Sequence, residues 1–259
     1  INRAIVHSRG IVFSPTSSGK TNIMVGTLRA LPENVPTLVL ANATDLSHQN
    51  YSEITKWGFK SVGRVYGKYF EPNIITCANI QSAHRFEPLL KHIRVLIVDE
   101  IHAMLSKVPK SVYKKLKKAS VRIGLSATPF KFGGSDKSQV YCAKGYFGPV
   151  LKTDADDAEN GILSTKTLQK RGILAKSNCT FYNIREPDLQ YELYQDAVTK
   201  GMAESTYLHD VVSRLAKKQT GRTLVLVERI AHGDALAEMI PGALWVRGED
   251  NLETRNWVK

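Results

Sequence analysis

An apolar run, Gly10-Ile11-Val12-Phe13, stops at Ser14-Pro15-Thr16-Ser17-Ser18-Gly19-Lys20-Thr21, and a helical pattern follows from about Lys20 to Ala30. No other stretch constrains the fold as much. A strand that ends in a Gly-Lys-Thr turn and feeds a helix points the turn's N–H groups and the positive helix end at one spot, which suits a phosphate. In that arrangement Lys20 reaches the β- and γ-phosphates, and the Thr21 hydroxyl holds a magnesium ion. The general pattern, G-x-x-x-x-G-K-[ST], asks for Gly five residues before Gly19, where this chain has Ser14. The spacing alone therefore leaves open a Ser/Gly-rich turn that happens to end in Lys-Thr.

The first half of the chain repeats the strand-then-helix texture. Thr37–Ala41 reads as a buried strand, followed by a helix from Thr44 to Trp57. Ser61–Tyr66 and Asn73–Cys77 are further strand candidates, with a helix from about Ile80 to Leu90. Arg94–Asp99 and Val121–Ser126 complete the set. Near-continuous apolar strands separated by helices predict an α/β fold with a mainly parallel sheet covered on both faces. Right-handed crossovers bring the strand C-termini to one edge, where ligands of such sheets bind.

After Phe130 the texture changes, and 131–160 reads as a linker or irregular excursion. Strand character resumes at Gly172–Leu174 and Asn178–Asn183. A helical region from Asp188 to Lys218 breaks near Gly201. Gly221–Glu228 and Ala243–Val246 read as strands around a helix at Ala231–Ile240. The predicted organisation is a first domain over 1–150, a junction over 151–185 and the start of a second domain over 186–259.

Composition narrows the partners. The 259 residues are 42% apolar and 23% charged, ordinary for a globular chain, and no apolar run approaches the length of a membrane span. The net charge of +12 favours a polyanionic partner, nucleic acid first among them. The lysines between Lys107 and Lys118 fall on the wet face of an amphipathic helix, because Val112, Leu116 and Ala119 keep helical spacing. Cys77, Cys142 and Cys179 are widely spaced and odd in number, which speaks against a disulfide framework or zinc site and for a reducing, intracellular setting. The N-terminus has no signal-peptide layout and no initiator Met, so an expectation of a fragment is included.

A second chemical motif is Val95-Leu96-Ile97-Val98-Asp99-Glu100-Ile101-His102. Four apolar residues form a central strand, and two carboxylates emerge at its C-terminal end. Asp99 is placed to hold magnesium, and Glu100 to orient and deprotonate a water. The alternative makes Asp-Glu a helix cap. A third motif, Gly124-Leu125-Ser126-Ala127-Thr128-Pro129, ends another strand. Ser126 and Thr128 offer hydroxyls to the Asp99–His102 segment, unless the stretch is only a turn set by Pro129.

The Gly-Lys-Thr cradle, Asp-Glu-Ile-His and Ser-Ala-Thr, in this order, resemble the motifs of superfamily-two DExH-type helicases and translocases. The resemblance implies two RecA-like lobes, the second incomplete here, with ATP and magnesium bound at the lobe interface. It assigns Pro15, Thr16, Ser17, Ser18, Gly19, Lys20 and Thr21 to ATP binding. Lys20, Asp99, Glu100 and His102 become catalytic, Thr21 and Asp99 the magnesium ligands, and Ser126 and Thr128 the coupling between nucleotide state and movement. Thr37 to Gln49 and Ile74 to Gln81 are similar to backbone-contacting segments, which nominates Asn42, Thr44, Gln49, Thr76 and Asn79 as nucleic-acid contacts, although ordinary helix caps fit the same residues. Leu224 to Leu236 and Pro241 to Gly248 look like the opening of the second lobe in the phage UvsW-like and XPB-like repair and recombination helicases, which adds Arg229 and His232. Glu159–Leu163 and Arg171–Ala175 are similar to the lobe junction of that group.

The implied activity is ATP-dependent translocation on DNA rather than RNA, in repair, recombination or replication, by a monomer with no membrane. Three rivals stay open: a P-loop switch that moves no nucleic acid, the motor of a restriction-type system, and a binding module with a decayed ATP site. The chain contains no Gln-x-x-Gly-Arg-x-x-Arg run. An arginine finger contributes a factor of roughly 10³–10⁵ to phosphoryl transfer. These 259 residues are therefore expected to bind ATP–magnesium but turn it over slowly; robust nucleic-acid-stimulated phosphate release by them alone would refute this.

Overall fold

The computed structural model describes residues 6–15, 18–127, 137–151, 165–183, 191–250 and 254. The chain divides into two compact units, Ile1–Ser177 and Asn178–Lys259.

In the first unit the strands are β1 (Arg9–Phe13), β2 (Thr37–Ala41), β3 (Val62–Tyr66), β4 (Tyr69–Glu71), β5 (Ile75–Asn79), β6 (Val95–Val98), β7 (Val121–Ser126) and β8 (Val150–Leu151). They form one sheet in the order β4-β3-β5-β2-β6-β7-β1-β8. Every pairing is parallel except the β3–β4 hairpin. The helices are α1 (Lys20–Arg29), α2 (Thr44–Lys56), α3 (Ala83–Phe86), α4 (Lys107–Lys115), α5 (Lys137–Phe147) and α6 (Thr165–Lys170).

The strand alternation builds two cores. Leu38, Leu40, Leu96 and Val98 face one side and pack with Phe86, Val112, Tyr113, Leu116 and Phe147. Val39, Val95 and Ile97 face the other, with Met24 and Leu28 of α1 and Ile54 of α2. Strands β2, β5 and β6 are buried at every position, which is why their sequence reads as unbroken apolar runs. As expected, α4 turns Val112 and Tyr113 inward and leaves Lys114 and Lys115 outside.

Two expectations change here. The 131–160 stretch is not linker throughout, because α5 and β8 lie within it. Helix α5 buries Ala143 and Phe147, a stripe one residue wide, too narrow to read from KSQVYCAKGYF. Strand β4 was not foreseen, being three residues long.

The second unit contains α7 (Tyr194–Val198), a π-helical turn at Thr199–Ala203, α8 (Thr206–Lys217) and α9 (Ile230–Met239). The π-turn holds Gly201, where the helical pattern was expected to break. Among the described residues, the strands expected at Asn178–Asn183, Gly221–Glu228 and Ala243–Val246, and that expected at Gly172–Leu174 in the first unit, are not paired into any ladder. Leu224 and Leu226 are 81% and 84% exposed, so an apolar run alone has not produced a sheet there.

The return of the β3–β4 hairpin depends on Gly63. A Cβ at Gly63 would sit 2.1 Å from Glu71 O and 2.5 Å from Asn73 N, both backbone atoms with little freedom to yield. Gly63→Ala is expected to lower unfolding free energy by about 1–3 kcal/mol, read as an earlier midpoint in urea.

Candidate nucleotide site

Parallel pairing sets the C-terminal ends of β1, β7 and β6 side by side. The β1–β7 ladder runs one bond past the strand, with Ser14 N–H donating to Ser126 O at 3.0 Å. Beyond it Ser18 N–H and Oγ both donate to Pro15 O, and Ser18 Oγ also bonds the buried Ser14 Oγ. Gly19 then adopts φ 87°, a left-handed conformation that disfavours any side chain, and α1 starts at Lys20. Helix α1 has no side-chain cap. Its first N–H groups and dipole end open at this edge, as a phosphate requires.

The strand β6 ends in Asp99, whose N–H bonds Leu40 O at 2.9 Å. Glu100 follows at φ 49°, an unfavourable conformation for a non-glycine residue that costs about 1–3 kcal/mol. The bend returns Ile101 to the core, fully buried. Gly124 on β7 makes room: a Cβ there would meet Ile101 Cδ1 at 2.5 Å.

This bend assembles a polar chain across three strand ends. Lys20 Nζ donates to Glu100 Oε1 at 2.5 Å. Glu100 Oε2 lies 3.3 Å from His102 Nδ1, which is 2.8 Å from the Oγ of buried Ser126. Cradle, Asp-Glu-Ile-His turn and Ser-Ala-Thr strand end are thus linked side chain to side chain. Thr16, Ser17 and Thr128 lie outside the described residues. Thr21 is half-buried in the first turn of α1, beside Lys20.

Asp99 is fixed from both sides: Glu100 N–H donates to Oδ1 at 3.0 Å and Asn50 Nδ2 to Oδ2 at 3.3 Å. Burial pushes the Asp99 carboxyl above its ordinary value; the Asn50 hydrogen bond opposes this, Glu100's charge reinforces it, and Lys20 opposes it. Sequence reasoning missed Asn50. Its signal was available: Ser47, Asn50 and Ile54 form the buried stripe of α2, and an amide in such a stripe needs a partner. Asp99 and Thr21 supply hard oxygen donors that fit magnesium held chiefly by nucleotide phosphates. Among the described residues no group of three or more His, Cys, Asp or Glu could hold a metal on protein ligands alone.

Of the nucleic-acid candidates of the first unit, Asn42, Thr44 and Gln49 follow β2, Asn79 ends β5 and Thr76 lies inside β5. Asn79 Nδ2 donates to Thr44 Oγ1 at 2.9 Å, and its Oδ1 caps Gln81 N–H. Asn42 Oδ1 is buried without a partner, and Gln49 is exposed on α2. Thr76 is not at the surface: it is buried, and its hydroxyl closes a turn with Asn73. In the second unit Arg229 precedes α9 and donates to Gln195 Oε1 at 2.8 Å. His232 lies 5.1 Å, ring to ring, from His209; burial and that neighbour hold its pKa below the ordinary value.

The Asp99 shift carries a sign. Its folded pKa lies above the unfolded one, so the folded state holds the proton more tightly and stability falls as pH rises through that window. At neutral pH the ionised carboxylate is a desolvated charge. Asp99→Asn is expected to raise the thermal midpoint at pH 7 by a few degrees, with the gain shrinking toward pH 4; scanning calorimetry across pH checks this.

Comparison with known proteins agrees with the geometry. Residues 2–131 match the family model described as type III restriction enzyme, res subunit. The fold matches UvsW of phage T4 with a TM-score of 0.52 at 18% identity, over 99% of this chain and 52% of that one. A second UvsW structure from bacteriophage T4 gives 0.47 at 16% identity, covering 59% and 58%. A DEAD box protein from Methanococcus jannaschii gives 0.46 at 20%, covering 56% and 46%. The chain spans a little over half the length of the UvsW structures, and no curated protein matches it. The first unit is a RecA-like α/β lobe, and the chain belongs to the type III restriction enzyme res-subunit family, within the superfamily-two helicases.

Proposed function

We propose that this chain is the nucleotide-binding part of an ATP-dependent, nucleic-acid-stimulated motor of the helicase type. The observation that carries the reading is the Lys20–Glu100–His102–Ser126 chain, which joins three motifs at one sheet edge. Lys20 would exchange its Glu100 partner for the β- and γ-phosphates. The N–H groups at the start of α1 would hold the phosphate oxygens. Thr21 and Asp99 would hold magnesium, which neutralises charge on the transferring phosphoryl group. Glu100, released from Lys20, would orient the attacking water and accept its proton. His102 and Ser126 would transmit the position of Glu100 to β7.

Nucleic acid would run past the ends of β2 and β5, over Asn42, Thr44 and Asn79. The net charge of +12 favours a partner held through phosphates. We read the substrate as DNA, the role as repair, recombination or replication in the UvsW-like and XPB-like branch, the working form as a monomer, and the location as intracellular. The second unit we take as the opening of a second RecA-like lobe. No helix among the described residues is long and apolar enough to cross a membrane. A second reading, favoured by the family's description, is the motor of a restriction-type system; ATP-dependent strand cleavage rather than strand displacement by the full protein would select it.

The test is nucleotide binding and turnover by the full protein. Lys20→Ala is expected to weaken ATP binding about 10- to 100-fold, from the loss of a charge-assisted contact. Glu100→Gln is expected to keep binding while lowering turnover about 10²–10⁴-fold. Wild-type turnover in either variant would overturn the site.

A further inference from the structure

The densest stacking of cations on aromatic rings among the described residues lies on the β3–β4 hairpin, away from the nucleotide site. Because β3 runs parallel to β5, its C-terminal end shares the edge that carries Asn79 and Asn42. The register Val65 to Ala78 sets Tyr66 beside Asn79, so the turn at Gly67–Lys68 extends that row outward.

The hairpin has two faces. Tyr66 pairs with Tyr69 and Arg64 with Glu71 on the α2 side. There the Arg64 guanidinium lies 3.6 Å from the Tyr69 ring centre and 5.0 Å from that of Tyr51, and its Nε donates to Glu71 at 2.8 Å. Tyr66 OH is 3.1 Å from His48 Nδ1 of α2. Lys68 Nζ stands 5.6 Å from the Tyr69 ring centre, so the rings of this side are engaged. Val65 and Phe70 share the other face. Val65 is buried, but the Phe70 ring is 51% exposed. The Arg85 guanidinium stands 5.4 Å from that ring and donates through Nη1 to Gly67 O at 2.7 Å. Arg85 thus locks the turn and backs the ring, while Lys68 is exposed at the tip. The nearest carboxylate on the hairpin, Glu71, is committed to Arg64.

We infer that Phe70, backed by Arg85 on a hairpin whose tip carries Lys68, is a stacking platform for one base of a single-stranded nucleic acid that continues past the ends of β2 and β5. The inference rests on the nucleic-acid reading above. An exposed ring backed by one cation offers a π-face to a base, and the lysine at the hairpin tip offers charge to a neighbouring phosphate. A duplex keeps its bases stacked inside and presents only phosphates, so the ring discriminates in favour of single strands.

The probes are a labelled oligothymidylate and a DNA duplex of equal length, titrated against the full 259-residue chain by fluorescence anisotropy at several salt concentrations. Phe70→Ala is expected to weaken oligothymidylate binding about 5-fold or more, with the salt slope and duplex affinity unchanged. Phe70→Trp keeps single-strand affinity; Phe70→Leu, which retains apolar bulk without a π-face, behaves like Ala and separates stacking from packing. Lys68→Ala weakens both ligands and shallows the single-strand salt slope by about 0.7. Wild-type oligothymidylate affinity in both Phe70→Ala and Phe70→Leu overturns the platform, as does an equal loss for duplex. A wild-type chain that binds neither probe overturns the nucleic-acid reading itself.

Discussion

Each residue of the nucleotide site hangs from the parallel pairing of β1 with β7 and of β7 with β6. Without it Lys20, Glu100 and Ser126, separated by about a hundred residues of chain, have no reason to meet. The pairing is possible because both faces of these strands are sealed, by Met24 and Leu28 on one side and Tyr113, Leu116 and Phe147 on the other. Hydrophobic burial supplies the energy, and the sheet converts it into positional accuracy at one edge.

That energy is partly consumed at the edge itself. Glu100 holds a conformation suited to glycine, and Asp99 carries a charge where burial resists it. Both features destabilise the fold, and both lie at residues to which the proposed chemistry is assigned. The bend aims Glu100 at Lys20, and burial raises the proton affinity of Asp99. Local strain concentrated at a site and tolerated by the surrounding core is the expected economy of a catalytic centre.

Much of this was legible beforehand. The Gly-Lys-Thr turn, the apolar strand before Asp99-Glu100 and the strand before Ser126-Ala127 are local patterns, and local patterns predict local structure. The sheet edge then followed from topology. What went unread was the partner each polar side chain takes: Asn50, in the buried stripe of α2, meets Asp99 from 49 residues away, and Thr76 is withdrawn because its hydroxyl meets Asn73. The hairpin strand β4 is too short to announce itself. In the second unit the reverse error occurs, since Leu224-Val225-Leu226-Val227 has the texture of a buried strand yet pairs with nothing among the described residues. Apolar texture states what a segment prefers to bury; it does not provide the neighbour.

The sheet closes its own margins. One edge strand has three residues and the other two, and the longer of them is flanked by Lys68 and Pro72 and loaded with the Arg64–Glu71 pair. Short, charged margins offer a second copy little backbone to zip onto. An eight-stranded, mainly parallel sheet, slow to assemble and open at its sides while it does so, is otherwise a template for fibre-like association. The same hairpin that presents Phe70 to solvent therefore also guards a sheet margin, and loosening it would be felt first as aggregation during refolding rather than as a change at the candidate nucleotide site.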